Sequence, residues 1–202
     1  MLPVQTDRPT ASTPVADLNI LATAQRDMRT GYMDGAPGVL VSGLVWAIAG
    51  CVATWLSPQR AVWALFIGGV FIHPVAVLLT RLLGRTGRHA PDNPLGALAM
   101  ATTFWMILML PLAYAVSLLR IDLFFPAMLL VIGGRYLCFQ VLYGNRAFWI
   151  IGAILALAGY ALAAANAPVA LGAFTGAVIE IVAAGALMAR ARREASMHAA
   201  SA

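Results

Sequence analysis

The stretch Ala61–Leu83 reads AVWALFIGGVFIHPVAVLLTRLL. Its one fixed charge, Arg81, stands two residues from the end. As a helix rising 1.5 Å per residue it would reach roughly 34 Å, enough to cross the ~30 Å hydrocarbon layer of a bilayer. A helix that packs on a water-soluble core keeps a polar face, and this one has none. Five further stretches share its character: Pro37–Leu56, Pro94–Leu119, Leu123–Tyr143, Ala147–Ala165 and Val169–Ala189. The expected fold is therefore an all-α membrane protein, a six-helix transmembrane bundle made of three antiparallel hairpins.

Composition agrees. Of 202 residues, 61% are apolar and 10% charged, against about 25% charged in a typical soluble domain. One soluble domain of this length could not bury so much apolar surface. Three regions follow: a polar N-terminal segment, residues 1–35; the transmembrane domain, 36–190; and a short tail, 191–202, expected to hold nothing beyond helix fraying. The N-terminal segment starts as a tail. A helix beginning with Thr13 as N-cap and Pro14 at its first position is expected to lie amphipathically on the membrane surface through Leu18, Leu21, Ala22, Gln25 and Met28. The first apolar stretch begins too far along to be a secretory leader, so no cleavage is expected.

All thirteen basic residues are arginine. Ten of them (Arg8, Arg26, Arg29, Arg81, Arg85, Arg88, Arg146, Arg190, Arg192 and Arg193) fall on the side of the membrane that holds both termini; Arg60 and Arg120 fall on the other. The positive-inside rule then places both termini in the cytoplasm. The arginines form no basic run with interleaved aromatics, so nucleic acid is not an expected partner. The partners expected are the lipid bilayer, a second copy of the chain in a homo-oligomer, and a small molecule or ion whose identity the sequence does not give.

Helices in lipid associate through small residues rather than hydrophobicity. Gly43, Ala47, Gly50 and Thr54 form one stripe. Gly152, Ala156, Gly159 and Ala163 form a second, and Gly172, Gly176, Glu180 and Ala184 a third, at four-residue spacing. The pairs Gly68-Gly69, Gly133-Gly134 and Gly176-Ala177 hint at a threefold repeat of hairpins. Pro111 predicts a kink or tilt in the third helix. Asp92-Asn93-Pro94 predicts its N-cap. Tyrosines and tryptophans near helix ends, Tyr143 among them, read as interfacial belt residues.

The polar exceptions carry the functional reading. Arg135 and Glu180 are the charged groups deep in the apolar stretches, and His73 is the other deep ionisable group besides tyrosine and cysteine. Counted from the preceding outer ends, His73, Arg135 and Glu180 lie roughly 20, 22 and 18 Å in, all near the midplane. A lone charge there costs roughly 3 kcal/mol or more. Arg135 and Glu180 are therefore expected to pair inside the bundle, with His73 within reach. In a transporter Glu180 would accept a proton or ligate a cation, Arg135 would be its counter-ion or anchor an anionic substrate, and His73, before Pro74, would titrate as well. Gln140 and Tyr114 are secondary candidates for the same site, with Tyr136, Thr103 and Ser117 behind them. The competing reading is a structural ion pair that fixes helix register. Cys51 and Cys138 read as small core residues. No phosphate loop, metal-ligand spacing or nucleophile grouping is present, so neither cofactor nor metal is expected. His89 and His198 read as solvated.

The strings GAPGVLVSGLVW (35–46), FIGGVFIHPVAVLLTRLLGR (66–85), NPLGALA (93–99), LPLAYAVSL (110–118), FFPAMLLVIGGRYL (124–137) and LYGNR (142–146) resemble a family of small bacterial inner-membrane proteins catalogued only as a domain of unknown function. The resemblance covers about residues 30–150 and leaves Glu180 outside. It implies a multi-pass protein of the bacterial inner membrane and no particular activity. Two roles stay open: a small transporter or channel with a polar midplane site, and a non-catalytic scaffold or accessory protein whose charged pair is structural.

Overall fold

A computed structural model describes residues 14–200. It shows seven α-helices: α1 (Pro14–Tyr32), α2 (Ala36–Trp55), α3 (Pro58–Leu82), α4 (Leu95–Leu119), α5 (Phe124–Tyr143), α6 (Ala147–Ala164) and α7 (Val169–Ala200), with 3-10 turns at Met33–Gly35 and Ile121–Leu123. Six helical stretches are long and apolar enough to cross a membrane, and the chain is a six-span membrane bundle. An even number of spans returns both ends of the bundle to one side, here called the arginine-rich face.

Local chemistry sets the helix ends. Ser57 caps α3 by accepting the Arg60 N–H at 3.2 Å, with Pro58 at the first position. The N-cap of α4 is Pro94, and the Asn93 side chain just before it accepts the Leu95 N–H at 2.9 Å. α3 and α4 run on through Pro74 and Pro111 without a break. α5 stops at Gly144, whose φ of 61° is cheap for glycine. The small segment between α6 and α7 turns on Asn166 at φ 51°, a left-handed conformation asparagine tolerates.

The packing divides the bundle into two three-helix units. In the first, α2 lies between α3 and α7; in the second, α5 lies between α6 and α4. The small-residue stripes make these contacts. A Cβ on Gly43 would stand 2.8 Å from Ile181 and 3.2 Å from the Glu180 Cβ, and one on Gly176 would overlap the Trp46 ring. On the other side a Cβ on Gly133 would sit 2.7 Å from the Gly152 carbonyl oxygen. Helix backbones therefore approach closely in α2–α7 and α5–α6. The seam between the units is thinner; Trp46 meets Phe125 across it with ring centroids 5.6 Å apart.

α1 forms where the sequence suggested a helix, beginning at Pro14. It docks on the arginine-rich face of the bundle and buries Ala24 and Met28 there. Gln25 and Arg29 donate to the carbonyls of Val141 and Tyr143 at 2.8 and 2.9 Å, and Asp27 accepts from the Asn93 side chain at 2.7 Å and the Ala90 N–H at 2.9 Å. Leu21 stays 39% exposed. Thr13 and the preceding tail lie outside the described residues. Beyond residue 190 the expected fraying is replaced by helix, because α7 continues to Ala200. Tyr143 is no belt residue: it is buried and stacks on Phe148 with centroids 5.4 Å apart. His89 is half-buried and meets the Tyr32 hydroxyl at 3.0 Å, so it is not simply solvated. The side chain of His198 lies outside the described residues.

Candidate functional site

The expected Arg135–Glu180 pair does not form. Arg135 donates to the Thr103 hydroxyl at 3.1 Å and to the Met106 sulfur at 3.2 Å, both on α4, and its guanidinium lies 5.1 Å from the centre of the Phe139 ring. Its Nε is buried and has no acceptor. Glu180 is 0% exposed and accepts the Tyr136 hydroxyl on Oε1 at 2.8 Å, while Oε2 has no hydrogen-bond partner. Ser42 of α2 presents its hydroxyl to the Glu180–Tyr136 pair. An ion pair does join Arg120 and Asp122, at the opposite face of the bundle.

The reason is azimuth. Arg135 and Tyr136 are consecutive on α5, so their side chains leave the axis about 100° apart. Tyr136 turns into the seam towards α2 and α7, where Glu180 sits. Arg135 turns towards α4. The polar residues therefore make two clusters rather than one.

His73 belongs with Arg135. Near the arginine-poor face, Phe66 of α3 meets Phe124 of α5 edge to face at 5.3 Å, and Tyr114 of α4 closes over them, 6.2 Å from Phe66 and 5.8 Å from Trp63. Residues seven apart on a helix share a face, and so nearly do residues eleven apart. His73 thus lies on the Phe66 face of α3, roughly 10 Å deeper, and Arg135 on the Phe124 face of α5, roughly 16 Å deeper. By this geometry the two would line the space between α3 and α4 beside α5, here called the groove. α3 and α4 touch at the aromatic end and part below it: His73 is exposed, and a Cβ on Gly69, one turn above it, would meet nothing within 4 Å. The remaining candidates fall elsewhere. Tyr114 and Ser117 line a depression of about 390 Å³ beside Gln59 and Trp63 at the groove's aromatic end. Gln140 lies one turn past Tyr136 on the seam side of α5, half-buried.

The sequence reading did not single out Ser42 or Met106. A serine and a methionine in apolar helices carry no signal of their own, and helical spacing from Trp46 and from Thr103 would have been the only pointer.

A family model described as a family of unknown function, DUF7010, matches residues 21–190. The match runs well past the point near residue 150 where the resemblance had been expected to thin, and it takes in α6, most of α7 and Glu180. No curated protein and no solved structure matches the chain.

Proposed function

We infer the role of the groove from its chemistry, because this chain belongs to DUF7010, a family of unknown function. The reading is a small multi-pass transporter of the bacterial inner membrane that takes an anion at Arg135. One observation carries it: a half-buried guanidinium near the midplane has a hydroxyl and a thioether for partners, an Nε with no acceptor, and no carboxylate in ion-pair contact. An unneutralised charge in that position is expensive, and an anion entering the groove would neutralise it. The planar guanidinium can hold a carboxylate or an oxyanion with two parallel hydrogen bonds. His73, on the facing wall, is placed to contact the same ligand, and Phe139 and Met106 give the pocket an apolar side.

A scaffold role has its own support in the close backbone contacts of α2–α7 and α5–α6. The two readings part on ligand binding. Purified protein in nanodiscs would be melted with chloride, nitrate, inorganic phosphate and benzoate at matched ionic strength, beside the R135Q variant. Transport predicts that at least one anion raises the melting temperature of the parent and leaves R135Q unmoved. At a hundred times the dissociation constant, binding stabilises by about 2.7 kcal/mol. Identical responses of parent and R135Q to all four anions would overturn the reading.

A further inference from the structure

The Glu180 cluster stands apart from the groove, and its position suggests a task the groove cannot perform. Glu180 is on α7, in the first three-helix unit; Tyr136 is on α5, in the second. Their hydrogen bond crosses the thin seam near the midplane. At the arginine-rich face the units are also tied by Arg190, which donates to the Asn145 side chain at 3.0 Å. At the other face Arg120, just after α4, donates at 2.7 Å to Asn166 in the turn that links α6 of the second unit to α7 of the first. Between these polar ends, Glu180–Tyr136 is a polar tie beside apolar contacts such as Trp46–Phe125. The groove walls also belong to different units: α3, with His73, to the first, and α4, with Thr103 and Met106, to the second. A shift of one unit against the other would therefore change the spacing of α3 and α4.

We propose that Glu180 and Tyr136 form a proton-operated clasp between the two three-helix units, and that taking up a proton on Glu180 loosens the seam and widens the α3–α4 groove. The proposal rests on the reading of the groove as a ligand site, and it adds the ion that would drive it.

The chemistry is a single proton transfer from water to the carboxylate. In the charged form Oε1 accepts the Tyr136 O–H in a charge-assisted bond, roughly twice as strong as a bond between neutral partners. The buried charge is then held by one strong donor, with Oε2 unpartnered. In the neutral form the tie weakens, the free energy of the buried charge is relieved, and Oε2–H can donate to Ser42. The charged form therefore holds the seam closed at an electrostatic cost, and the neutral form lets it part. Such opposed costs keep two arrangements close in free energy. The groups that can influence this proton are few. α5 presents Tyr136, with Arg135 behind it as the nearest cation. α2 presents Ser42 and Trp46, neither of which titrates in water. The one titratable side chain on α6, Tyr160, is 71% exposed and turned away. Because Arg135 follows from the same turn of α5, an anion bound in the groove would cancel the positive charge nearest Glu180 and favour its neutral form. Proton and anion would then bind with positive cooperativity.

The test reads groove width without any ligand. In a background with C51A and C138A, G69C places a thiol in the open space of the groove. Its rate of reaction with a small maleimide is followed across pH in proteoliposomes. E180Q fixes the neutral form and Y136F removes the clasp, so the two variants give the intrinsic pH response of the thiol in an open seam. The parent should react several-fold more slowly than both at alkaline pH and converge on them as the pH falls. Superimposable profiles of parent, E180Q and Y136F would overturn the clasp. Since the labelling needs no anion, it can fail while the melting shift at Arg135 stands, and the reverse.

Discussion

Helix contact through glycine permits a quantitative perturbation. In Gly133→Ala the new methyl would lie 2.7 Å from the Gly152 carbonyl oxygen and 3.1 Å from the Ala156 nitrogen. In Gly152→Ala it would lie 2.6 Å from the Gly133 carbonyl oxygen. Ordinary contact begins at 3.4 Å, so α5 and α6 must separate by roughly 0.7 Å. The obstacle is backbone on both sides, and no rotamer relieves it. Overpacking of this kind costs about 1–3 kcal/mol. Against it, alanine is favoured over glycine in a helix by about 1 kcal/mol. Gly69→Ala and Gly185→Ala meet nothing within 4 Å and should show only the favourable part. The expected gap between the two classes is therefore about 1–3 kcal/mol, read as the shift in the midpoint of denaturant unfolding in mixed micelles. The double change Gly133→Ala with Gly152→Ala should cost less than the sum, because one separation accommodates both methyls. Equal stability of G133A and G69A would refute the close-approach account of α5–α6.

Other expectations follow from particular contacts. In a double-mutant cycle, Y136F with E180Q should show a coupling of about 1.5–3 kcal/mol, the range for a hydrogen bond to a charged group. R135Q with E180Q should couple more weakly, because those side chains do not touch; the reverse ranking would restore a direct pair. Two N–H donors, from the Asn93 side chain and the Ala90 backbone, hold the Asp27 carboxyl below its usual range. A depressed folded value means that Asp27 helps to dock α1 at neutral pH, and that this help is lost as pH falls through the acidic range below about 4. Hydrogen exchange in α1 should then rise on acidification, and D27N should show the raised exchange already at neutral pH. Reporter fusions at 84–93 and at the C-terminus should report one side of the membrane, and a fusion at Asp122 the other.

The spans were legible because a bilayer demands the same thing of every spanning helix: length and apolarity, both one-dimensional properties. Thus α3 was expected over Ala61–Leu83 and runs Pro58–Leu82, and the glycines of the Gly172–Gly176 stripe lie against Phe125 and Trp46. The helix α1 was expected too, but not its partners. Its docking depends on Asp27 finding Asn93, and Gln25 and Arg29 finding the last carbonyls of α5. Those partners are 66, 116 and 114 residues away in sequence, and short-range periodicity says nothing about them. Tyr143 failed for a related reason. An aromatic residue near a helix end suits an interface, yet here α6 turns back beneath it and supplies Phe148 as a stacking partner.

The site divides along the same line. Depth could be counted from the nearest arginines, which put His73, Arg135 and Glu180 at similar expected levels. Azimuth could not be counted without knowing which helices are neighbours. Once α5 is known to sit between α4 and α6 and against α7, the consequence is fixed by helix geometry alone: adjacent residues cannot face the same neighbour. Position 135 looks at α4, so position 136 must look across the seam, and the tyrosine there takes the partner that charge reasoning had assigned to the arginine. The argument that a midplane arginine must be paired still holds as an energy statement. What changes is the source of the anion. Inside the chain, the acid that could have served is committed to Tyr136 on the other side of α5, and the groove beside His73 is open. On the reading proposed above, an arginine left short of a counter-charge would obtain it from outside the fold, and that makes Arg135 the position where a ligand search should begin.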